Sequence, residues 1–317
     1  MTETITCSNT GAAGITGFLG KIADSFGVSC DTNGDSIVLT GSDSLCIHRA
    51  KSVINALLTA GETEDISPFM VDYLIVLARS GKIDEFMDVK DDVFYITPTG
   101  NKITARTLGQ KFYIDALERY PLVLASGPAG CGKTFLGVAC AVKALKSRQV
   151  SRIILTRPAI EAGERLGFLP GDIEEKVDPY MRPIYDALQI LLGRDGFDRY
   201  YEKGIIEVSP LAFMRGRNLD DSFVLLDEAQ NTTPEQMKMF LTRLGINCKA
   251  CVAGDFTQVD LPKGGLSGLR DAIKVLRGVP DIAIVEMDNS DIVRNPLVKR
   301  IVEAYDSREG GRGNNEE

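Results

Sequence analysis

Residues 122–134, which read LVLASGPAGCGKT, decide the fold of this chain. An apolar run with strand character, LVLAS, leads into the pattern GxxxxGK[ST], matched at Gly127, Gly132, Lys133 and Thr134, and a helix-like run follows. Glycines let the backbone wrap around a phosphate with its N–H groups pointing inward, and the helix N-terminus adds the positive end of its dipole. The stretch therefore predicts a P-loop between a strand and a helix.

This loop predicts the residues that bind a nucleotide. Lys133 is expected to reach the β- and γ-phosphates, and the Thr134 hydroxyl is expected to ligate Mg²⁺. The predicted ligands are ATP and Mg²⁺. The loop residues predicted to bind the nucleotide are Gly127, Pro128, Ala129, Gly130, Cys131, Gly132, Lys133 and Thr134.

A second apolar strand, within FVLLDEAQ at 223–230, ends in two acids. Asp227 at the carboxyl end of this strand is predicted to complete the Mg²⁺ shell, and Glu228 is predicted to take a proton from the attacking water. Two acids that only begin a loop are the alternative. The order of strand, P-loop and helix followed later by strand and Asp-Glu favours the catalytic interpretation.

Two glutamines are candidates for contacts with the nucleotide. Gln258 lies in AGDFTQVD (253–260) after another apolar strand, where it is placed to sense the γ-phosphate. Gln110 lies about twenty residues before the P-loop, and an amide there can pair with both the donor and the acceptor edge of adenine. The alternatives are an ordinary turn at 253–260 and a helix-surface glutamine at 110.

The pattern of strands predicts an α/β fold for residues 104–306. Strands and helices alternate, and most of the strands are continuous apolar runs, which is typical of a parallel sheet covered on both faces. The predicted strands are PLVLAS, RIILTR, IIEVS, SFVLLDE, ACVAGD and IAIVEM.

The residues before this core predict two smaller segments. Residues 1–62 read as a strand, a glycine-marked loop, a helix, two strands and a helix, which makes a small α+β domain. Residues 63–103 read as a connecting helix (MVDYLIVLARSG) and most of a hairpin (VFYITPTGNKIT). The glycine-rich, polar residues 307–317 predict a disordered tail.

Composition narrows the class of protein. The 317 residues carry a net charge of −8, and no apolar run of membrane-spanning length occurs, so we expect a cytoplasmic protein with no membrane partner. His48 is the only histidine, which excludes multi-histidine metal sites. Seven scattered cysteines indicate reduced thiols, and the CxxC of Cys248 and Cys251 has no second pair to complete a zinc site.

Long motifs in the second half of the chain resemble PhoH-like ATPases. They are TRPAIEAGERLGFLPGDIEEKVDPYMRPIYDAL (156–188), PLAFMRGR (210–217), LLDEAQNTTPEQMKMFLTRLG (225–245) and GDFTQVDLP (254–262). The resemblance implies a single RecA-like P-loop NTPase core related to superfamily 1 helicases. It implies the phosphate, magnesium, base and sensor roles at Lys133, Thr134, Asp227, Glu228 and Gln258.

The resemblance also implies a role for Arg294, which matches the family's arginine before the last helix. Such an arginine could stabilise transition-state charge on a neighbouring subunit's nucleotide, and a plain salt bridge is the alternative. A two-lobed helicase needs a second core after the third motif, and only about fifty residues remain. We therefore expect a homo-oligomer in the form of a ring, with a hexamer as the first candidate.

Residues 14–60 resemble a KH-type RNA-binding module. Gly17, Phe18, Leu19 and Gly20 stand where that family has its GxxG loop, and Lys21 follows. The resemblance implies that Gly17, Gly20 and Lys21 contact a nucleic-acid backbone. A small degenerate domain that makes subunit contacts is the alternative.

Two functional hypotheses remain from the sequence. The first is an ATP-driven motor or remodeller of single-stranded RNA, or DNA, in which Thr156 and Arg157 occupy the place where helicase-like proteins touch the backbone. Arg165, Arg215 and Arg217 could add to a basic lining, unless they pair with acids of the same subunit. The second is an ATP-dependent switch that acts on protein partners. The stretch 163–183, rich in glycine and proline, is predicted to be a functional loop.

Overall fold

The computed structural model describes residues 1–7, 9–158, 173–262, 264–293, 297–298 and 301, with the backbone alone for residues 9–13 and 173–179. The chain divides between Lys90 and Asp91 into two compact units. The first unit holds Met1–Lys90 together with the residues that follow Ile292, and the second holds Asp91–Ile292. The predicted segment 63–103 is therefore divided between the two units.

The first unit begins with a three-stranded antiparallel sheet and two helices. The sheet order is β1-β3-β2. The elements are β1 (Thr2–Thr6), α1 (Asn9–Phe26), β2 (Ser29–Asn33), β3 (Ser36–Thr40) and α2 (Ser44–Ala60). Apart from the glycine-marked loop, this is the order of strands and helices that the sequence predicts.

The predicted GxxG loop is wrong, because α1 runs without a break through Gly17 and Gly20. A stripe of apolar residues with helical spacing explains the difference, since Ile15, Leu19, Ile22 and Phe26 are all buried. Burial of this stripe outweighs a cost of about 1 kcal/mol for each glycine inside a helix. The backbone N–H groups that would grip a nucleic acid are used within the helix.

Lys21 is engaged in the same unit. Its ammonium lies 2.5 Å from the Asp72 carboxylate on α3 (Pro68–Ser80). Both side chains are partly exposed, at 47% and 34%, so this surface pair contributes only about 0–1 kcal/mol to stability. The unit ends with α4 (Ile83–Val89), a short helix that the sequence did not predict.

The second unit starts with the predicted hairpin and continues as the α/β core. The hairpin strands are β4 (Val93–Ile96) and β5 (Lys102–Thr104). The core strands are β6 (Leu122–Ser126), β7 (Arg152–Arg157), β8 (Ile206–Pro210), β9 (Ser222–Leu226), β10 (Lys249–Gly254) and β11 (Ile282–Glu286). The helices are α5 (Leu108–Arg119), α6 (Lys133–Lys146), α7 (Ile173–Leu192), α8 (Arg194–Glu202), α9 (Pro234–Leu241) and α10 (Gly268–Leu276).

All six predicted core strands are present and form one parallel sheet, so the α/β prediction is confirmed. The strand order is β11-β6-β10-β9-β7-β8. Apolar clusters cover both faces of the sheet, which is why its central strands are continuous hydrophobic runs.

Part of the predicted loop at 163–183 is helical instead, because α7 begins at Ile173. Met181, Ile184, Leu188 and Leu191 are buried at helical spacing against the sheet. Their burial outweighs the glycine and proline content that suggested a loop. Residues 163–172 lie outside the described part of the chain, as does the predicted tail 307–317.

In the residues that the structure describes, none of the helices is both long enough and apolar enough to cross a bilayer.

Candidate nucleotide-binding site

The site lies where three neighbouring strands end. In the order β6-β10-β9, parallel pairing brings the carboxyl ends of these strands to one edge of the sheet. The P-loop follows β6, Asp255 follows β10, and Asp227 follows β9. One cavity at this edge is lined by residues from all three segments: Ala129, Gly130, Gly132, Lys133, Thr134, Phe135, Asp227, Glu228, Gly254, Asp255 and Gln258.

The P-loop joins β6 to α6 through a left-handed glycine. Gly132 precedes α6 with φ = 90°, a conformation that a residue with a Cβ rarely adopts. This turn places the N-terminus of α6 at the cavity, where its free N–H groups and dipole favour an anion. Cys131 is buried behind the loop, so its side chain does not face the cavity.

The Lys133 ammonium is held by the loop itself. Its Nζ donates to the carbonyl oxygens of Gly127, at 2.6 Å, and Pro128, at 2.9 Å. The residue is 8% exposed, so a buried cation sits beside the anion-binding backbone. A phosphate oxygen is a stronger acceptor for an ammonium than a neutral carbonyl.

Asp227 connects the P-loop to β7. Its Oδ1 accepts the Thr134 hydroxyl at 2.9 Å, as expected if both residues serve one metal site. Its Oδ2 accepts both Nε (2.9 Å) and Nη2 (2.5 Å) of Arg157. The carboxylate is almost fully buried, with 3% of the side chain exposed, and Arg157 is its cationic partner.

Glu228 occupies a strained position beside the cavity. Its φ of 53° lies in the left-handed region, which costs a residue other than glycine about 1–2 kcal/mol. Strain of this kind concentrates at functional sites. Glu228 lines the same cavity as Asp227.

Gln230 links the two motifs that follow β9 and β10, and sequence reasoning assigned it no role. Its fully buried amide donates to Glu228 Oε2 (2.7 Å) and to the carbonyl oxygen of Gln258 (3.0 Å). Its own oxygen accepts the Asp255 N–H at 2.9 Å. The DEAQ motif carried the signal, because an amide is the side chain that can donate and accept at once.

Asp255 presents an unsatisfied acceptor at the cavity. Its Oδ1 accepts from the backbone N–H (2.8 Å) and the hydroxyl (2.7 Å) of Thr257. Its Oδ2 is buried and has no hydrogen-bond partner among the residues described. A buried carboxylate oxygen of this kind is suited to a water or a cation. Gln258 is exposed and lines the same cavity.

Gln110 braces the P-loop. The amide accepts the Arg106 N–H at 2.8 Å and donates to the Cys131 carbonyl oxygen at 3.1 Å, and the residue is 5% exposed. It is therefore not a helix-surface residue. Each end of the amide is bound to backbone and keeps one further hydrogen-bonding position, so Gln110 supports the loop and its pairing with adenine stays a prediction.

A buried tyrosine, Tyr113, is hydrogen-bonded to the first residue of α6. The Tyr113 hydroxyl donates to the Lys133 carbonyl oxygen at 3.1 Å and shares a hydrogen bond of 3.0 Å with the Cys251 sulfur. Burial raises the pKa of the Cys251 thiol to about 12 and that of the Tyr113 hydroxyl well above its usual value. Both groups are therefore neutral, and Cys251 has a structural role.

The structure shows that three of the core residues predicted to contact nucleic acid are buried or paired with acids of the same chain. Thr156 is fully buried, and its hydroxyl has no hydrogen-bond partner in the described part of the chain. Arg157 binds Asp227, and Arg217 forms a bidentate salt bridge with Glu207. These contacts correct the prediction for Thr156 and Arg157, and they match the alternative of arginines that pair within one subunit. Arg165 and Arg294 lie outside the described residues.

Comparison with known proteins identifies relatives across most of the chain. The family model described as "PhoH-like protein" matches residues 102–306. A PhoH-like protein of Bacillus subtilis is 48% identical over 293 residues, which are 92% of this chain and 91% of that protein. Protein PhoH of Escherichia coli K12 is 49% identical over 206 residues, which are 64% of this chain and 58% of that protein.

Similarity to solved structures is much weaker. The Pif1 helicase from Candida albicans aligns with a TM-score of 0.33 and 13% identity over 63% of this chain and 43% of that chain. A likeness at this level carries no argument about activity.

Proposed function

Because the chain belongs to the PhoH-like protein family, we propose that it is a magnesium-dependent ATPase. The observation that carries the proposal is the convergence of Lys133, Thr134, Asp227 and Glu228 on a single cavity at the carboxyl edge of the sheet. These are the groups that phosphoryl transfer requires: a cation for the phosphates, ligands for the metal and a base for water.

The residues present fit Mg²⁺. The Thr134 hydroxyl donates its hydrogen to Asp227, which leaves its oxygen lone pairs available to a metal. Among the described residues, no three His, Cys, Asp or Glu side chains form a metal-binding group. Mg²⁺ is usually bound by one or two protein groups plus substrate phosphates, and Thr134 and Asp227 supply two such groups. When bound, Mg²⁺ would neutralise charge on the phosphates.

The chain's own residues perform the remaining steps. Lys133 exchanges the carbonyl oxygens of Gly127 and Pro128 for phosphate oxygens, and the N–H groups of the P-loop and α6 bind the β-phosphate. Glu228 orients the attacking water and accepts its proton. Gln230 holds Glu228 and the Gln258 backbone together, so that base and sensor keep a fixed spacing.

Replacement of Glu228 by glutamine tests the assignment of the base. We expect Glu228→Gln to bind a fluorescent ATP analogue within about twofold of the wild type and to hydrolyse ATP at least about 100-fold more slowly, because the amide cannot accept the proton. Glu235→Gln is the control, since Glu235 lies on the first turn of α9 and outside the cavity lining. Undiminished hydrolysis by Glu228→Gln would remove Glu228 from the mechanism.

We propose further that hydrolysis is coupled to single-stranded RNA or DNA. The support is the order of the DEAQ and GDFTQVDLP motifs, which resembles superfamily 1 helicases. Among the candidates that the structure describes, Arg215 is exposed and lies directly after the 3₁₀ turn Leu211–Met214 that follows β8. A switch that acts on protein partners is the second candidate. It is favoured by the pairing of Lys21, Arg157 and Arg217 with acids of the chain itself.

Stimulation of hydrolysis by single strands separates the two candidates. If nucleic acid is the partner, single-stranded RNA or DNA raises the ATPase rate severalfold, and Arg215→Glu reduces this stimulation without changing the basal rate. Because the contact is electrostatic, the stimulation should weaken steeply between about 50 and 200 mM salt, the range over which phosphate contacts are lost. An ATPase rate that changes with neither single-stranded RNA nor single-stranded DNA would favour the switch that acts on protein partners.

The homo-oligomer, with a hexameric ring as the first candidate, remains part of the proposal. Light scattering of the purified protein with and without ATP measures it directly. A strictly monomeric protein with full ATPase activity would contradict it.

A further inference from the structure

Arg157 is a largely buried cation that the proposed mechanism does not use. Its side chain is 13% exposed, and all three of its described hydrogen bonds are made inside the second unit. Two of them converge on Asp227 Oδ2, and the third joins Nη1 to the carbonyl oxygen of Tyr180 on α7, at 2.5 Å. One guanidinium therefore connects the predicted magnesium ligand to a helix of the core.

We propose that Arg157 is a positioning residue of the magnesium site, which fixes the Asp227 carboxylate against Thr134 and ties it to α7. This inference rests on the proposed function. It deepens that function by assigning to Arg157 a role at the metal instead of at a nucleic acid.

The geometry around Asp227 supports this role. The carboxylate is held on both sides, by the Thr134 hydroxyl at Oδ1 and by Arg157 at Oδ2. The Asp227 N–H in turn donates to the Thr156 carbonyl oxygen at 2.9 Å, directly before Arg157 in the chain. Rotation of the carboxylate would break at least one of the side-chain bonds, so its orientation is set before a metal arrives.

The charge of Arg157 has a second, opposite effect. A cation bonded to Asp227 neutralises part of the negative charge that attracts Mg²⁺. Arg157 thus makes the carboxylate well oriented and at the same time less attractive to a metal ion. Orientation governs turnover and charge governs metal affinity, so the two effects separate in an experiment.

Two substitutions distinguish them. Arg157→Lys keeps the positive charge, but its single ammonium group cannot make the bidentate hydrogen bond to Asp227 and the bond to the Tyr180 carbonyl oxygen at the same time. Arg157→Met removes both the positive charge and the hydrogen bonds to Asp227 and Tyr180. Arg152→Met is the matched control, because Arg152 lies at the opposite end of β7 and donates to the Asp220 carbonyl oxygen.

Two readouts are needed. The first is binding of Mn²⁺, followed by electron paramagnetic resonance with a non-hydrolysable ATP analogue bound. The second is kcat for ATP hydrolysis. We expect kcat to fall at least about tenfold in both Arg157 variants, because orientation is lost in both. Mn²⁺ affinity should stay within about twofold for Arg157→Lys and rise severalfold for Arg157→Met, since only the latter removes the charge.

The contradicting results are specific. A wild-type kcat in Arg157→Lys would overturn the positioning role. Mn²⁺ affinity that falls in both variants together with the unfolding temperature would show a merely structural role. If Arg157→Met does not fold, Arg157→Lys decides by itself, through a lower kcat at unchanged Mn²⁺ affinity and unfolding temperature.

A wild-type protein that binds Mn²⁺ with the nucleotide and does not hydrolyse ATP would instead contradict the proposed function. In that case a severalfold rise in Mn²⁺ affinity in Arg157→Met would still place the charge of Arg157 at the metal site, and unchanged affinity in both variants would overturn that placement.

Discussion

Replacement of Lys133 by alanine is expected to lower ATP hydrolysis at least about 1,000-fold and to weaken nucleotide binding. The ammonium is the only cationic side chain in the described lining of the cavity, where it faces three carboxylates and the anion-binding end of α6. Without it, the charge that develops on the transferring phosphoryl group loses its main protein counter-charge.

The control for this variant is Lys143→Ala on the same helix. Lys143 pairs with Glu118 at the surface, so its loss should leave hydrolysis unchanged and stability within about 1 kcal/mol. Steady-state phosphate release and a thermal unfolding curve for each variant make the comparison. A Lys133→Ala protein that is folded and fully active would show that this loop is not the catalytic P-loop.

The second large effect concerns stability. Asp227→Asn leaves the largely buried Arg157 guanidinium without its anion, which should lower the free energy of unfolding by about 3–5 kcal/mol. Addition of Arg157→Met removes the uncompensated charge, so the double variant should be more stable than Asp227→Asn alone. It should still fail to hydrolyse ATP, because the metal ligand is missing.

Urea denaturation followed by circular dichroism measures this cycle. The pair Glu207 and Arg217 is the control, because about a third of each side chain is exposed. The hydrogen bond from Arg217 lowers the pKa of Glu207, so this pair stabilises the fold above the ordinary glutamate range and less as the pH falls below it. At neutral pH, Glu207→Gln should cost no more than about 1 kcal/mol. Equal costs at the two sites would contradict the buried-pair account of Asp227.

The strands of the α/β core could be predicted from the sequence because the local hydrophobic pattern agrees with the burial of each strand in the folded protein. The central strands of the sheet are apolar runs that are buried on both faces, and parallel pairing brings the P-loop and Asp227 to one edge of the sheet. The positions of Lys133, Thr134, Glu228 and Gln258 in the cavity lining follow from that topology alone.

The errors arose where a short motif competed with a longer periodic pattern. Gly17 and Gly20 suggested a loop, yet the apolar stripe from Ile15 to Phe26 continues through them and keeps α1 intact. The glycines and prolines near the start of α7 suggested a loop in the same way, and Ile184 and Leu188 are part of the buried face that makes it a helix.

The remaining differences involve partners far apart in the chain. Arg157 and Asp227 are 70 residues apart, and Gln110 and Cys131 are 21 apart. A sequence pattern identifies such side chains as polar and well placed, but it does not reveal which of them pair with each other. For an arginine in particular, the sequence does not distinguish binding to a nucleic-acid phosphate from binding to a buried carboxylate.

Whether this protein is a magnesium-dependent ATPase is measured by steady-state phosphate release from the wild type at saturating ATP, with Mg²⁺ and with EDTA. We expect continuous turnover in Mg²⁺ and a rate at least about 100-fold lower in EDTA, because Thr134 and Asp227 then have no metal to hold against the phosphates. Equal rates in the two conditions, or no phosphate release in Mg²⁺, would contradict it.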